Sequence, residues 1–384
     1  MQRSQFPADG AVGGPANDGR GKLILVPPLE AGASSLRLGC RDAALAPVSE
    51  QDLLDHIARV FASAGLHFPR PLLVNYYVSL KTNPFVVLAG QEGYGKAEFA
   101  ATFAEAMLGR GSQQYALIPA ASWTSATGED GYYRGLLERF ASLRFLDLLQ
   151  DAAGPAGAGK AYLVCFNGLR PDEFSYYFTT LLQVDPAGNK RLKLPGVPAD
   201  EWPVVPPNVS ITATVNTAEY AGALNREVLR HAGLIHFRAP LRRASAHYEP
   251  APPPPVGYQR LWLRAAVHDI PAARDRLAQI LGGDAVARLR CSPELGRLLW
   301  RGGVVLTTRA LQDLTTYIAA SFDEHGRGLF EPSDPHINAQ IAFDAQVAQR
   351  ILWKLHDTAD EELQRDLARY LDRLGPSGWQ QAVA

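Results

Sequence analysis

Gly90-x-x-x-x-Gly95-Lys96 follows an apolar run, Phe85-Val86-Val87-Leu88-Ala89, and precedes a helix-forming stretch, Ala97–Leu108. A phosphate-cradling loop needs this order of strand, glycine-rich turn and helix. Gly90, Gly93 and Gly95 let the backbone curl around phosphate oxygens, with Tyr94, Lys96 and Ala97 completing the loop. N–H groups at the helix start point at the anion, and the helix dipole favours negative charge there. Lys96 is expected to reach the terminal phosphates. Ala97, however, stands where a hydroxyl normally ligands Mg²⁺. A methyl group cannot coordinate a hard cation. Hydrolysis also needs carboxylates at the end of a neighbouring strand, for the metal and the attacking water. The run Tyr162–Phe166 ends instead in Asn167-Gly168. Asp172 and Glu173 follow; their position suits the first turn of the next helix, with return to the metal position as the other reading. The chemistry implied is docking of ATP or GTP, with Mg²⁺ poorly provided for.

These residues need elements to hold them. Ser49 reads as an N-cap, with Glu50 and Asp52 as acids in the first turn and Leu53, Ile57, Val60 and Phe61 on one helical face. A second helix is predicted over Pro71–Leu80, since proline suits a first helical turn. Apolar runs at Phe85–Ala89, Tyr115–Ile118, Tyr162–Phe166, Ser210–Val215 and Leu234–Phe237 read as strands. Helical stretches between them are Ala97–Leu108, Gly135–Gln150 and Glu173–Leu182. Short apolar strands alternating with helices predict an α/β fold: a parallel sheet between two helical layers. Ala152–Lys160 reads as a surface loop. The prolines within 248–257 favour a stiff spacer and suggest a domain boundary. Beyond it, helices are predicted at Ala272–Leu281, Pro293–Trp300, Arg309–Phe322, Ala339–Leu355 and Glu361–Leu374. The expected domains are a flexible tail over 1–47, an αβα core over 48–247, the linker, and a helical lid over 258–384.

Composition narrows the function. A formal net charge of −1 over 384 residues argues against a broad non-specific nucleic-acid surface and leaves room for a local basic patch. Cys40, Cys165 and Cys291 fit neither a disulfide framework nor a metal spacing, which favours a reducing, cytoplasmic setting. No apolar run reaches the roughly 18 residues of a membrane span. The N-terminal residues do not read as a signal peptide. No G-x-S-x-G nucleophile elbow and no zinc-type His/Cys pattern is present.

Beyond the loop, further segments resemble the McrB-like branch of the AAA+ ATPases. They include the lead-in His67-Phe68-Pro69 to Leu80-Lys81-Thr82-Asn83-Pro84-Phe85, then Tyr115–Pro119, Trp123-Thr124 and Gly131-Tyr132-Tyr133. Tyr176-Tyr177-Phe178, Pro206-Pro207-Asn208 with Thr214-Val215-Asn216, and Ala342-Phe343-Asp344 to Leu352 continue it. The resemblance covers about residues 50–357 in the family's order. It implies an AAA+ nucleotide-binding core with a helical lid, working in a ring beside other AAA+ subunits, as a homo- or hetero-oligomer. It assigns Asn216 as the sensor 1 residue and makes Arg309 similar to a sensor 2 arginine. For both, an ordinary structural role, ending a strand or starting a helix, is the competing reading. Arg230-His231 stand where an Asp-Arg pair is usual, so Arg230 would reach a neighbouring site only from a shifted position.

Three readings follow. The favoured one is a degenerate AAA+ subunit that binds nucleotide with impaired or absent hydrolysis and acts as a structural or regulatory part of an assembly. A second is an active motor that uses Asp172 or Glu173 and Arg230. A third is a protein-interaction module independent of nucleotide, since the Glu92 carboxylate beside a phosphate would repel it.

Overall fold

The two N-terminal helices form for local reasons and set the layer on which the sheet rests. The computed structural model of the chain describes residues 49–83, 85–119, 144–169, 190–191, 198, 200, 202–218, 232–237, 254, 257–265, 269–283, 293–305, 307–350 and 360–373. Helix α1 spans Glu50–Ser63 and opens on the predicted cap. Ser49 Oγ accepts from the Asp52 N–H, and the Asp52 side chain accepts in return from the Ser49 N–H, closing a capping box. Helix α2 spans Arg70–Thr82, with proline in its first turn as expected.

The first strand, β1 (Phe85–Gly90), is buried along its whole length. Helix α3 (Lys96–Leu108) follows the glycine-rich loop, then β2 (Tyr115–Pro119), α4 (Phe145–Ala153) and β3 (Tyr162–Asn167). Two short strands, β4 (Lys190–Arg191) and β5 (Val204–Val205), pair antiparallel. Strands β6 (Val209–Asn216) and β7 (Gly233–His236) complete a five-stranded sheet in the order β2-β3-β6-β1-β7. All of its pairings are parallel. The α/β expectation therefore holds, and all five predicted strands lie where the apolar runs put them.

Both faces of the sheet are covered, which is why its strands read as continuous apolar runs. Val86 and Leu88 of β1 share one core with α1, α2 and α3; Phe85, Val87 and Ala89 share the other with α4. Edge-to-face aromatic contacts tighten the first core. Phe99 of α3 meets Phe68 at 4.9 Å and Phe237 at 5.2 Å, and Phe103 meets Tyr76 at 4.8 Å.

The C-terminal helices are α5 (Tyr258–Ala265), α6 (Ile270–Leu281), α7 (Pro293–Arg301), α8 (Thr308–Ala320), α9 (Pro335–Arg350) and α10 (Glu361–Arg373). Buried residues of α5, α6, α8 and α9 belong to the same core cluster as α1–α3. The described residues all fall within one compact unit, Ala44–Ala384. Most of the Pro-rich segment 248–257 and the whole of 1–47 lie outside the described residues. No helix among the described residues is long and apolar enough to cross a membrane.

Some predicted bounds change. A helix over Gly135–Gln150 cannot be continuous, because Arg144 has a left-handed φ of +61° and α4 starts only at Phe145. It then runs on to Ala153, into the segment expected to be loop. The β4–β5 pair and α5 carry too few residues for periodicity to announce them.

Candidate functional site

The carboxyl end of β1 sits between β6 and β7, inside the sheet. Ligands of open α/β sheets bind at such ends, in the crevice where the chain turns to opposite sides. The loop from Gly90 to Lys96 crosses this end, and Gly93 and Gly95 have φ of +78° and +77°. Only glycine takes these values without strain. Gly90 is required for a different reason. A Cβ there would lie 2.6 Å from the Phe237 carbonyl oxygen, because the chain leaving β7 passes directly beside it.

Lys96, the first residue of α3, is buried and folded back into the loop. Its Nζ donates to the carbonyl oxygens of Gly90 at 2.9 Å and Gln91 at 2.6 Å. Burial pulls its pKa below the ordinary lysine value, while Glu92 and Glu98 pull the other way. Tyr94 packs against the core and donates through its hydroxyl to Gln91 Oε1 at 3.0 Å, bracing the loop. Glu92 is exposed, so its carboxylate has solvent beside it. Ala97 is the second residue of α3 and brings only its methyl group.

Two further strand ends share this edge. Asn216 ends β6 in register with Gly90, and the Thr217 N–H donates to the Gly90 carbonyl at 3.1 Å. The Asn216 side chain accepts from the Ala218 N–H at 3.1 Å, so it also shapes the turn that ends the strand. Asn167 ends β3. Its Oδ1 accepts from the Thr214 hydroxyl at 2.7 Å, and that hydroxyl accepts from the Gly168 N–H at 2.8 Å. The carboxyl end of β3 therefore holds a neutral amide tied to its sheet neighbour β6.

The described residues of this site offer few side-chain ligands of the kind Mg²⁺ takes. Ala97 has no side-chain oxygen, the Asn167 amide oxygen accepts one hydrogen bond, and no group of three or more His, Cys, Asp or Glu side chains converges among the described residues. Gly93, Gly95, Lys96 and the start of α3 are the residues that could hold an anion such as phosphate.

Of the other predicted site residues, only Arg309 lies among the described residues. Arg309 is exposed in the first turn of α8, where its charge acts on Lys190 and Arg350. Arg230, Asp172 and Glu173 lie outside the described residues, as do Trp123-Thr124, Gly131-Tyr132-Tyr133 and Tyr176-Tyr177-Phe178. Sequence reasoning missed the role of Thr214. Its only local signal is the alternation Thr212, Thr214, Asn216 along one face of β6. No family model matches the chain, and no curated protein matches it.

Proposed function

We propose that this chain is a degenerate AAA+ subunit, which docks ATP or GTP on the loop 90–96 and hydrolyses it slowly or not at all. One observation carries the reading: at a single sheet edge the phosphate-binding features are kept and the metal-binding ones are replaced. Gly93 and Gly95 have the loop conformation, Lys96 lies within it, and Asn216 stands level with Gly90. Ala97 and Asn167 occupy the positions that hydrolysis assigns to metal and water. Phosphoryl transfer depends on positioning and charge neutralisation, so replacing both together depresses turnover far more than binding.

The resemblance to the McrB-like branch supplies the setting. Each site in such an assembly is completed by a neighbouring subunit, so the partners are other AAA+ chains, identical or different, or a protein that the chain scaffolds. A subunit of this kind contributes structure or regulation beside active neighbours.

Titration with fluorescently labelled ATP and GTP, with and without Mg²⁺, tests the proposal. Saturable binding weakened about 10–100-fold by Lys96→Ala is expected, since a charge-assisted contact to phosphate is lost. Absence of saturable binding would return the chain to the nucleotide-independent class, and binding indifferent to Lys96→Ala would place the nucleotide away from the loop 90–96. Brisk Mg²⁺-dependent turnover abolished by Lys96→Ala would sink the claim of impaired hydrolysis and favour Asp172 or Glu173 as relocated acids.

A further inference from the structure

Side chains of a strand alternate between the two faces of its sheet. Leu163 and Cys165 of β3 pack in the core shared with α3, whereas Tyr162, Val164 and Phe166 pack in the core on the opposite face. Asn167 continues the row of Leu163 and Cys165 and reaches the carboxyl edge on the α3 side. On β1 the same row runs Val86, Leu88, Gly90; on β6 it runs Thr212, Thr214, Asn216, in register with it. Gly90, Asn216, Asn167 and the N-terminus of α3 thus share one face and one edge. Two strand spacings, about 10 Å, separate β3 from β1. The phosphate chain of a nucleotide seated on the loop lies on this side.

The amide of Asn167 is held in one orientation. The Thr214 hydroxyl, which already accepts from the Gly168 N–H, gives its proton to Asn167 Oδ1. That leaves Nδ2, a donor, without a hydrogen bond to any described residue, and Asn167 is only half-buried. A carboxylate here would attract a cation and repel a bare phosphate; an amide nitrogen does the reverse.

We propose that Asn167 is a phosphate-binding residue whose Nδ2 donates to an oxygen of the bound nucleotide, so that the site takes its nucleotide free of metal. The proposal rests on the loop 90–96 being a nucleotide seat, and it gives that seat a ligand form, the metal-free polyphosphate. The replacement of a metal-holding acid by asparagine is then a change of binding mode, with a hydrogen-bond donor in the place of a cation.

The experiment is a titration of the full chain with labelled ATP in EDTA and in Mg²⁺, for wild type, Asn167→Asp, Asn167→Ala and Lys96→Ala. Asp at 167 keeps an acceptor for the Thr214 hydroxyl, so the fold is preserved; Asn167→Ala carries the comparison if it is not. Wild type is expected to bind equally well, within about threefold, in both buffers, because little of its affinity comes from metal. In EDTA, Asn167→Ala weakens binding about tenfold and Asn167→Asp by more, with Mg²⁺ restoring part of the loss in Asn167→Asp alone. If Lys96→Ala abolishes binding but neither Asn167 variant changes the metal-free affinity, the proposal is overturned and the nucleotide seat stands. A wild type that binds only with Mg²⁺ overturns it equally. If wild type binds no ATP, or binds it regardless of Lys96, the seat itself is wrong and the proposal falls with it.

Discussion

A single buried carboxylate on α9 makes the stability of this chain depend on pH. Asp344 is buried, and its described hydrogen bond is accepted from Gln340 Nε2 at 2.9 Å. Loss of solvent raises its pKa to about 7, against the smaller opposing effect of Gln340. The folded chain therefore holds a proton that the unfolded chain releases near pH 4. The stabilisation from the neutral carboxyl is complete below about pH 4 and disappears as pH rises through about 7. A shift of about three units corresponds to roughly 4 kcal/mol at most. Asp344→Asn keeps the acceptor for Gln340 without the ionisation. The variant is expected to match wild type in urea unfolding at pH 4 and to exceed it by about 2–4 kcal/mol at pH 8. Equal stabilities at pH 8 would show that Asp344 ionises without cost in the folded chain.

At the scale of elements, α1, α2 and the end of α8 meet on a charge pair that local sequence signals conceal. Lys81 Nζ donates to Glu50 Oε1 at 2.6 Å and to the Ala320 carbonyl at 2.7 Å, and the Tyr77 hydroxyl donates to the same Glu50 oxygen at 2.7 Å. Both charged side chains are almost fully buried. Burial drags the Lys81 pKa down and Glu50 holds it up. Breaking such a pair from one side strands a buried charge, so Lys81→Met is expected to cost about 3–5 kcal/mol. Adding Glu50→Gln removes that charge and keeps an acceptor for Tyr77, so the double variant should recover much of the loss. A denaturant double-mutant cycle measures it, and strictly additive costs would contradict the coupling. The sequence marks Ser49 as a cap because its partner is three residues away. It presents Glu50 only as a first-turn acid because its partner is 31 residues away. The same contrast divides the candidate site. Gly90 to Lys96 is legible because glycines and lysine at fixed spacing are a local signal. The bond between Thr214 and Asn167 joins residues 47 apart and shows only once β3 and β6 are paired.

At the scale of the whole molecule, the Pro-rich segment is a poor guide to where the folded unit ends. Composition suggests a break near 248–257, yet residues beyond it are built into the N-terminal core. Leu314 and Tyr317 of α8, with Phe343 and Val347 of α9, are buried in one cluster with Leu73 and Tyr77 of α2. Polar contacts run through the same seam. The Tyr317 hydroxyl donates to Asn75 Oδ1 at 2.6 Å, Gln349 Nε2 donates to Asn75 and Ser79, and a Cβ on Gly233 of β7 would meet Gln349 Oε1 at 3.0 Å. Removing the C-terminal helices would expose this apolar face and leave Asn75 and Ser79 without those partners. A chain ending at Gly257 is therefore expected to lose cooperative unfolding and to bind a hydrophobic dye, whereas the full chain unfolds in one transition. In the full chain, Tyr317→Phe should lower stability by about 1–3 kcal/mol, because Asn75 loses a buried donor. A fragment ending at Gly257 with a sharp thermal transition of its own would show that the helices beyond the prolines are an independent lid. One cooperative unit instead means that α9 packs against β7 through Gln349 and Gly233, and β7 leads through Phe237 to Gly90, where the glycine-rich loop begins.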